Sequence, residues 1–196
     1  MIRVQVSNLL TMESSSRISA NGANHGSWAG GAGGSVWITA ENANLATNAQ
    51  ITAIGGNGGA ASHYADRYTR YYNSAGGGGG RVLIELGASV GVFAPVISVS
   101  GGNKGSSHSG ANDGDGGSFV LRGTGTQALN EVHYRAQNSM RTMTSFDVFH
   151  VRRFVHLPSS SLTMLASVSI EGLVEHEFQI GAKLIATDSL TLSNIS

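Results

Sequence analysis

Residues 62–73 gather the densest set of chemistry-bearing side chains in the chain. His63, Tyr64, Asp66, Arg67, Tyr68, Arg70, Tyr71 and Tyr72 lie within twelve residues and include four of the five tyrosines. Aromatic faces interleaved with guanidinium, imidazole and carboxylate groups stack on sugar rings or anchor a protein partner. The segment is therefore expected to be a ligand-contact loop, built from His63, Tyr64, Arg67, Tyr68, Arg70, Tyr71 and Tyr72. The plainer alternative is that the rings only fold back over the body of the protein.

A second cluster, Asn112-Asp-Gly-Asp-Gly-Gly117, sets Asp113 and Asp115 on a glycine turn. Closely spaced carboxylates and carbonyls suit a hard cation, so these two residues are the candidate metal ligands and calcium is the metal they would take. A solvated turn explains them as simply, and no other cofactor is expected. His25, His63 and His108 fall in or beside successive loops but at different offsets, which makes unrelated surface histidines the preferred reading over a metal site. Glu171, Glu175, His176 and Glu177 cluster near a turn, where the metal reading is again the minority one. Alternation along Val148–His156 would put His150, Arg152, Phe154 and His156 on one strand face.

Catalysis is not expected. The twelve acidic residues are scattered, and no nucleophile elbow, phosphate loop or HExxH motif occurs. The enzymatic alternative is a polysaccharide lyase or hydrolase, which needs carboxylates converging in a groove. A third reading, an ice-binding face, would need a regular threonine ladder that Thr39, Thr47, Thr52, Thr187 and Thr191 do not form.

The elements that must carry these residues are legible from a repeat. I-[ST]-x-x-G-[AG]-N-x-G occurs at Ile18–Gly26, Ile51–Gly59 and Ile97–Gly105. Each copy is followed, after a variable loop, by G-G-[SR]-[VF]-x-[IL] at residues 33–38, 79–84 and 116–121. The loops hold 6, 19 and 10 residues, whereas Ile38 to Ile51 and Ile84 to Ile97 are both 13 apart. Fixed spacing on one side with free length on the other is the behaviour of stacked strands that confine insertions to one face. Ile18, Ile51 and Ile97 should form one interior column, and Ile38, Ile84 and Leu121 another.

The expected fold is thus all-β, a parallel β-helix or solenoid-like stack of glycine-punctuated repeats. Glycine and asparagine at the run ends would supply positive φ at the corners. The alternative is a β-sandwich with a polyglycine-helix layer, because six glycine-containing runs, two per unit, can approach closely and bond through their backbones. Residues 1–126 form the three-unit glycine-rich stack. Residues 127–196 hold only Gly172 and Gly181 of the 28 glycines and form a strand-like region that continues or caps it, including a run Leu162–Ile170 and several short strands over 178–195. A fourth repeat fails after Leu121, since Tyr134 stands at the expected isoleucine position. At the other end, Arg3-Val-Gln-Val-Ser-Asn stands where Gly34-Ser-Val-Trp-Ile-Thr stands in the next unit, so both ends look cut from something longer.

Twelve basic residues balance twelve acidic ones, which gives no net field toward nucleic acid or an anionic membrane. Charged residues make up only 12% of the chain, about half the usual share, which excludes a disordered polyelectrolyte. The chain has no cysteine, no run approaching the ~20 apolar residues of a spanning helix, and no secretory signal at its start.

The segments GGSVWITA, AQITAIGGNGG, GGGGGRVLIEL and ISVSGG resemble the glycine-rich repeats of very large secreted and cell-surface, adhesin-like proteins with parallel β-helix or polyglycine-containing cores. The likeness covers about residues 15–125. It implies an extracellular or cell-surface location, an elongated shape and a non-catalytic structural or adhesive role in a fibre or surface layer. Expected partners are neighbouring domains of the same larger chain, glycans or surface proteins, with homo-oligomeric or filament assembly as a further expectation. It supplies no catalytic residues.

Overall fold

The structure, a computed structural model, describes residues 1–46, 48–65, 68–93, 95–105, 111–123, 129–134, 145–149, 151–156, 161–164, 168–171, 175–186 and 190–193. Among them all regular structure is strand, and no helix is long and apolar enough to cross a membrane. The chain opens with β1 (Ile2–Met12), β2 (Arg17–Ser19), β3 (Ser35–Leu45) and β4 (Gln50–Thr52). β5 (Ala60–Ala65) and β6 (Tyr68–Asn73) follow, then β7 (Arg81–Phe93), β8 (Val96–Ser98) and β9 (Ser118–Gly123). The glycine-poor part supplies β10 (Leu129–Tyr134), β11 (Ser145–Phe149), β12 (Val151–His156) and β13 (Ser161–Met164). It ends with β14 (Val168–Glu171), β15 (Glu175–Phe178), β16 (Lys183–Ala186) and β17 (Leu190–Ser193).

One seven-stranded sheet, ordered β1-β3-β7-β9-β11-β14-β17, runs through both the glycine-rich and the glycine-poor parts. Three smaller sheets, β2-β4-β8, β10-β12-β15 and β13-β16, accompany it, and every pairing among these strands is parallel. Parallel neighbours cannot be joined by a tight hairpin, so each step from strand to strand needs a long return through other elements. Among the described strands only β5 and β6 pair antiparallel.

Both expected columns are present. Ile18, Ile51 and Ile97 stand in register, as do Ile38, Ile84 and Leu121. Ile38, Ile51, Ile84 and Leu121 are fully buried, within one cluster that also holds Val36, Leu45, Val82, Leu86 and Phe119. The period-two alternation of β3 places Val36, Ile38 and Ala40 inward, and β7 repeats it with Val82, Ile84 and Leu86. Each such aliphatic side chain stabilises the fold by about 1.5–3 kcal/mol on burial. At β1 the column is only half covered: Ile2, Val4 and Val6 are partly buried, because β1 is the edge strand.

The equal 13-residue spacing conceals compensation. Relative to β3, β7 carries register shifts between Ala40 and Asn42 and between Ala43 and Leu45. The connection after it is correspondingly shorter, so that Ile51 and Ile97 still meet.

Several sequence expectations are corrected. Arg3 pairs with Trp37 and Ile2 with Val36, so the start of the chain does not align Arg3 with Gly34. That alignment is displaced by three residues, and an odd displacement would turn Ile2, Val4 and Val6 away from the core face. Val148–His156 is not one strand: residues 145–149 lie in the large sheet and 151–156 in the β10-β12-β15 sheet, while His150 falls outside the described residues. Likewise Leu162–Ile170 divides into β13 and β14. Tyr134 pairs with His156, and β8 ends its own sheet.

The glycine runs also act differently from corner-formers. Among the described glycines only Gly181 has positive φ, at 74°. The corners instead use Ser15 (φ 72°) and Asn48 (φ 71°). Ser15, Asn48 and Gly181 each take the third position of a four-residue turn closed by Ser16 N–H to Glu13 O, Ala49 N–H to Ala46 O, and Ala182 N–H to Gln179 O, the place where type II turns demand positive φ.

The glycine-rich segments, about 20–25, 30–34, 53–59, 75–80, 99–105 and 112–117, bond to one another through their backbones. One hydrogen-bond chain crosses all six: Gly114 N–H donates to Gly102 O, Gly102 to Gly77, Gly77 to Gly56, Gly56 to Gly31 and Gly31 to Ala23, at 2.8–2.9 Å. Bonds between one pair of segments recur every third residue, as Gly77 to Gly56 and Gly80 to Ala53, or Gly56 to Gly31 and Gly59 to Trp28. Three residues per turn, with the bonds made from segment to segment, is the repeat of an extended polyproline-type helix. The need for glycine here is steric. A Cβ on Gly56 would run into the carbonyl of Ala23, and one on Gly77 into the carbonyl of Gly31.

Candidate contact surface

The Tyr/Arg-rich segment is an antiparallel hairpin rising from this glycine layer. Its register sets Ser62 opposite Tyr71, His63 opposite Arg70, Tyr64 opposite Thr69 and Ala65 opposite Tyr68. Directly opposed residues share a face in such a pair, so positions 62, 64, 69 and 71 form one face and positions 61, 63, 65, 68, 70 and 72 the other. Asp66 and Arg67 lie outside the described residues.

Both feet of the hairpin are tied to one turn of the preceding unit. Gly59 N–H, just before β5, donates to Trp28 O at 3.0 Å. Ser74 Oγ, just after β6, donates to Ser27 O at 3.3 Å, and Gly105 N–H closes the group by donating to Ser74 O at 2.9 Å. The turn is held from within by His25, whose Nδ1 accepts from Trp28 N–H at 2.9 Å and Ser27 N–H at 3.2 Å. His108 lies outside the described residues.

Trp28, which sequence reasoning passed over, is the outcome of this arrangement. Its backbone is bonded on both sides, yet its residue remains 67% exposed. A large aromatic side chain on a fixed backbone and left in solvent has the character of an anchor for a partner. The only sequence signal was the single Trp in a six-residue loop.

Asp113 and Asp115 are both exposed. The Asp113 Oδ1 accepts the Lys104 N–H at 2.8 Å, and the Asp115 backbone carbonyl accepts Gly79 N–H at 2.8 Å. Both residues thus take part in joining glycine segments. Among the described residues, no group of three or more His, Cys, Asp or Glu converges as metal ligands would.

The asparagine of the repeat motif has a specific task. Asn57 N–H donates to Asn24 Oδ1 and Asn103 N–H to Asn57 Oδ1, each at 2.7 Å. Asn24, Asn57 and Asn103 form a ladder that binds successive units at the loop end of the glycine layer.

On the opposite side, the outward face of the large sheet carries a polar seam across four strands. The Arg3 guanidinium sits 4.5 Å over the Trp37 ring, within range of a cation–π contact. Trp37 Nε1 donates to Glu85 Oε2 at 2.7 Å, and Arg122 Nη1 donates to Glu85 Oε1 at 3.3 Å. Glu85 therefore fixes both Trp37 and Arg122.

Comparison with protein-family models, with curated proteins and with solved structures finds no match to this chain.

Proposed function

We propose that the chain is a non-catalytic structural or adhesive module of a larger extracellular or cell-surface protein. In this reading it is a solenoid-like stack, and its loop end meets glycans or other proteins. The observation that carries the reading is the continuous parallel register of the seven-stranded sheet backed by six mutually bonded glycine segments. Such a body is held by repeated backbone contacts and grows by adding units, which suits a spacer or scaffold. The contact surface consists of Trp28 and the hairpin bearing His63, Tyr64, Arg67, Tyr68, Arg70, Tyr71 and Tyr72. Neighbouring domains of the same larger chain are the remaining partners in this account, with no nucleic acid, no membrane insertion and no cofactor.

The test is binding of the full chain to a glycan array and to extracellular-matrix proteins, compared with Trp28→Ala and with joint replacement of Tyr64, Tyr68, Tyr71 and Tyr72 by Ala. A loss of at least tenfold in both variants, with unchanged thermal unfolding, is the expected result. Undiminished binding would remove the loop end from the account, and turnover of a polysaccharide would replace the non-catalytic reading.

A further inference from the structure

The outward face of the large sheet holds a cavity of about 620 Å³ where the glycine segments 79–80 and 116–117 enter β7 and β9. This volume lies in the range of small-ligand sites. Its floor is Leu83 and Val120, paired in register and half-buried. At one end stand Arg81 and Ser118, again a register pair, with Arg81 exposed. At the other end is Arg122, which Glu85 holds through Nη1. Arg81 and Arg122 are four residues apart in register on adjacent strands, about 13 Å at the rise of a strand.

We propose that this cavity binds a short anionic saccharide. The aliphatic floor offers a flat apolar surface for the C–H face of a sugar ring. Ser118 and the guanidinium groups offer hydrogen bonds to ring hydroxyls, and Arg81 offers a bidentate pair to a carboxylate. A bare inorganic anion would leave the floor and most of the volume unused. Glu85 offsets the charge of Arg122, so Arg81 is the principal cation and carries the preference for an acidic sugar.

The inference takes its ligand class, a glycan, from the adhesive reading but uses a different surface from the Trp28 and tyrosine hairpin. Titration calorimetry of the full chain with a hyaluronan tetrasaccharide, against its carboxyl-reduced counterpart, tests it. The charged sugar is expected to bind at least tenfold more tightly, and to weaken as ionic strength rises. Arg81→Ala is expected to lower that affinity at least tenfold with unaltered thermal unfolding, and Arg81→Lys to recover part of it. Arg81→Ala is expected to retain the binding to neutral glycans and matrix proteins that depends on Trp28 and the tyrosine hairpin, so that failure at one surface is told apart from failure at the other. Equal binding of the two sugars, undiminished binding by Arg81→Ala, tighter binding of a tetraglutamate peptide, or no binding would each overturn the inference.

Discussion

The glycine-rich and glycine-poor regions share one sheet but return the chain to it by different means. In the first, the return passes through paired glycine segments, and successive strands stand 33, 46 and 37 residues apart, as Ile18 to Ile51, Ile51 to Ile97 and Ile84 to Leu121. In the second, every described register pair from β10 onward within the region joins residues 22 apart: Leu129 with Val151, Phe146 with Val168 and Val168 with Leu190, Val148 with Ile170 and Ile170 with Leu192, and Leu162 with Leu184. There the return is made by short strands, which pair in two further sheets.

The difference lies in what each return path can absorb. Glycine segments bond sideways through the backbone at three-residue intervals and leave their far ends open, so a six-residue turn or a whole hairpin can be inserted there. Short strands tied to strands above and below allow no such freedom, because a one-residue slip turns every side chain to the other face.

Substitutions put this contrast to the test. The largest effect is expected at Ile84, fully buried in the shared sheet. Ile84→Asp places an unpaired carboxylate in the core and should cost at least about 4 kcal/mol. If the sheet unites the two regions, far-UV circular dichroism should show both lost in one transition. Two separate transitions would show that the regions fold apart.

A medium effect, confined to the glycine-rich region, is expected from Asn57→Ala, which removes the acceptor for Asn103 N–H. Because the ladder is exposed and water can replace it, the cost should be about 1 kcal/mol, read as a lowered Tm. The smallest effect is expected at the corner of the first unit. Ser15 holds the positive φ that Gly181 holds in the second region, and a non-glycine residue there carries a strain of about 1–2 kcal/mol. Ser15→Gly should therefore stabilise by up to about 1 kcal/mol after the entropy of glycine is offset. A destabilised Ser15→Gly variant would mean the turn is not strained.

The two isoleucine columns and the variable loops were legible because identical residues recur beside glycine punctuation. The purpose of the glycines was harder to read. Composition suggests corners with positive φ, while Gly56 and Gly77 are required by carbonyls approaching from segments distant in sequence, which no local pattern displays.

The 22-residue period was present but passed over. Residues 145, 167 and 189 are all serine, and positions 129, 151, 173 and 195 read Leu, Val, Leu and Ile, yet no glycine marks the register. At the contact surface, the tyrosine hairpin announced itself by composition. Trp28 did not, since no local pattern displays the bonds that tie its turn to Gly59 and His25. The cavity over Leu83 and Val120 was equally hidden, because it unites β7 and β9 across the sheet.

The glycine segments form a mutually bonded layer with no room for side chains at its crossing points. Two adjacent residues separate this arrangement from any looser one. A Cβ on Gly77 would strike the carbonyl of Gly31, whereas one on Gly78 would meet nothing within 4 Å, and neither residue has positive φ. Thermal unfolding of Gly77→Ala and Gly78→Ala should therefore differ sharply. Gly77→Ala is expected to lose about 3 kcal/mol or more, and Gly78→Ala to match or exceed the parent by up to about 1 kcal/mol. Equal tolerance at both positions would contradict the layer.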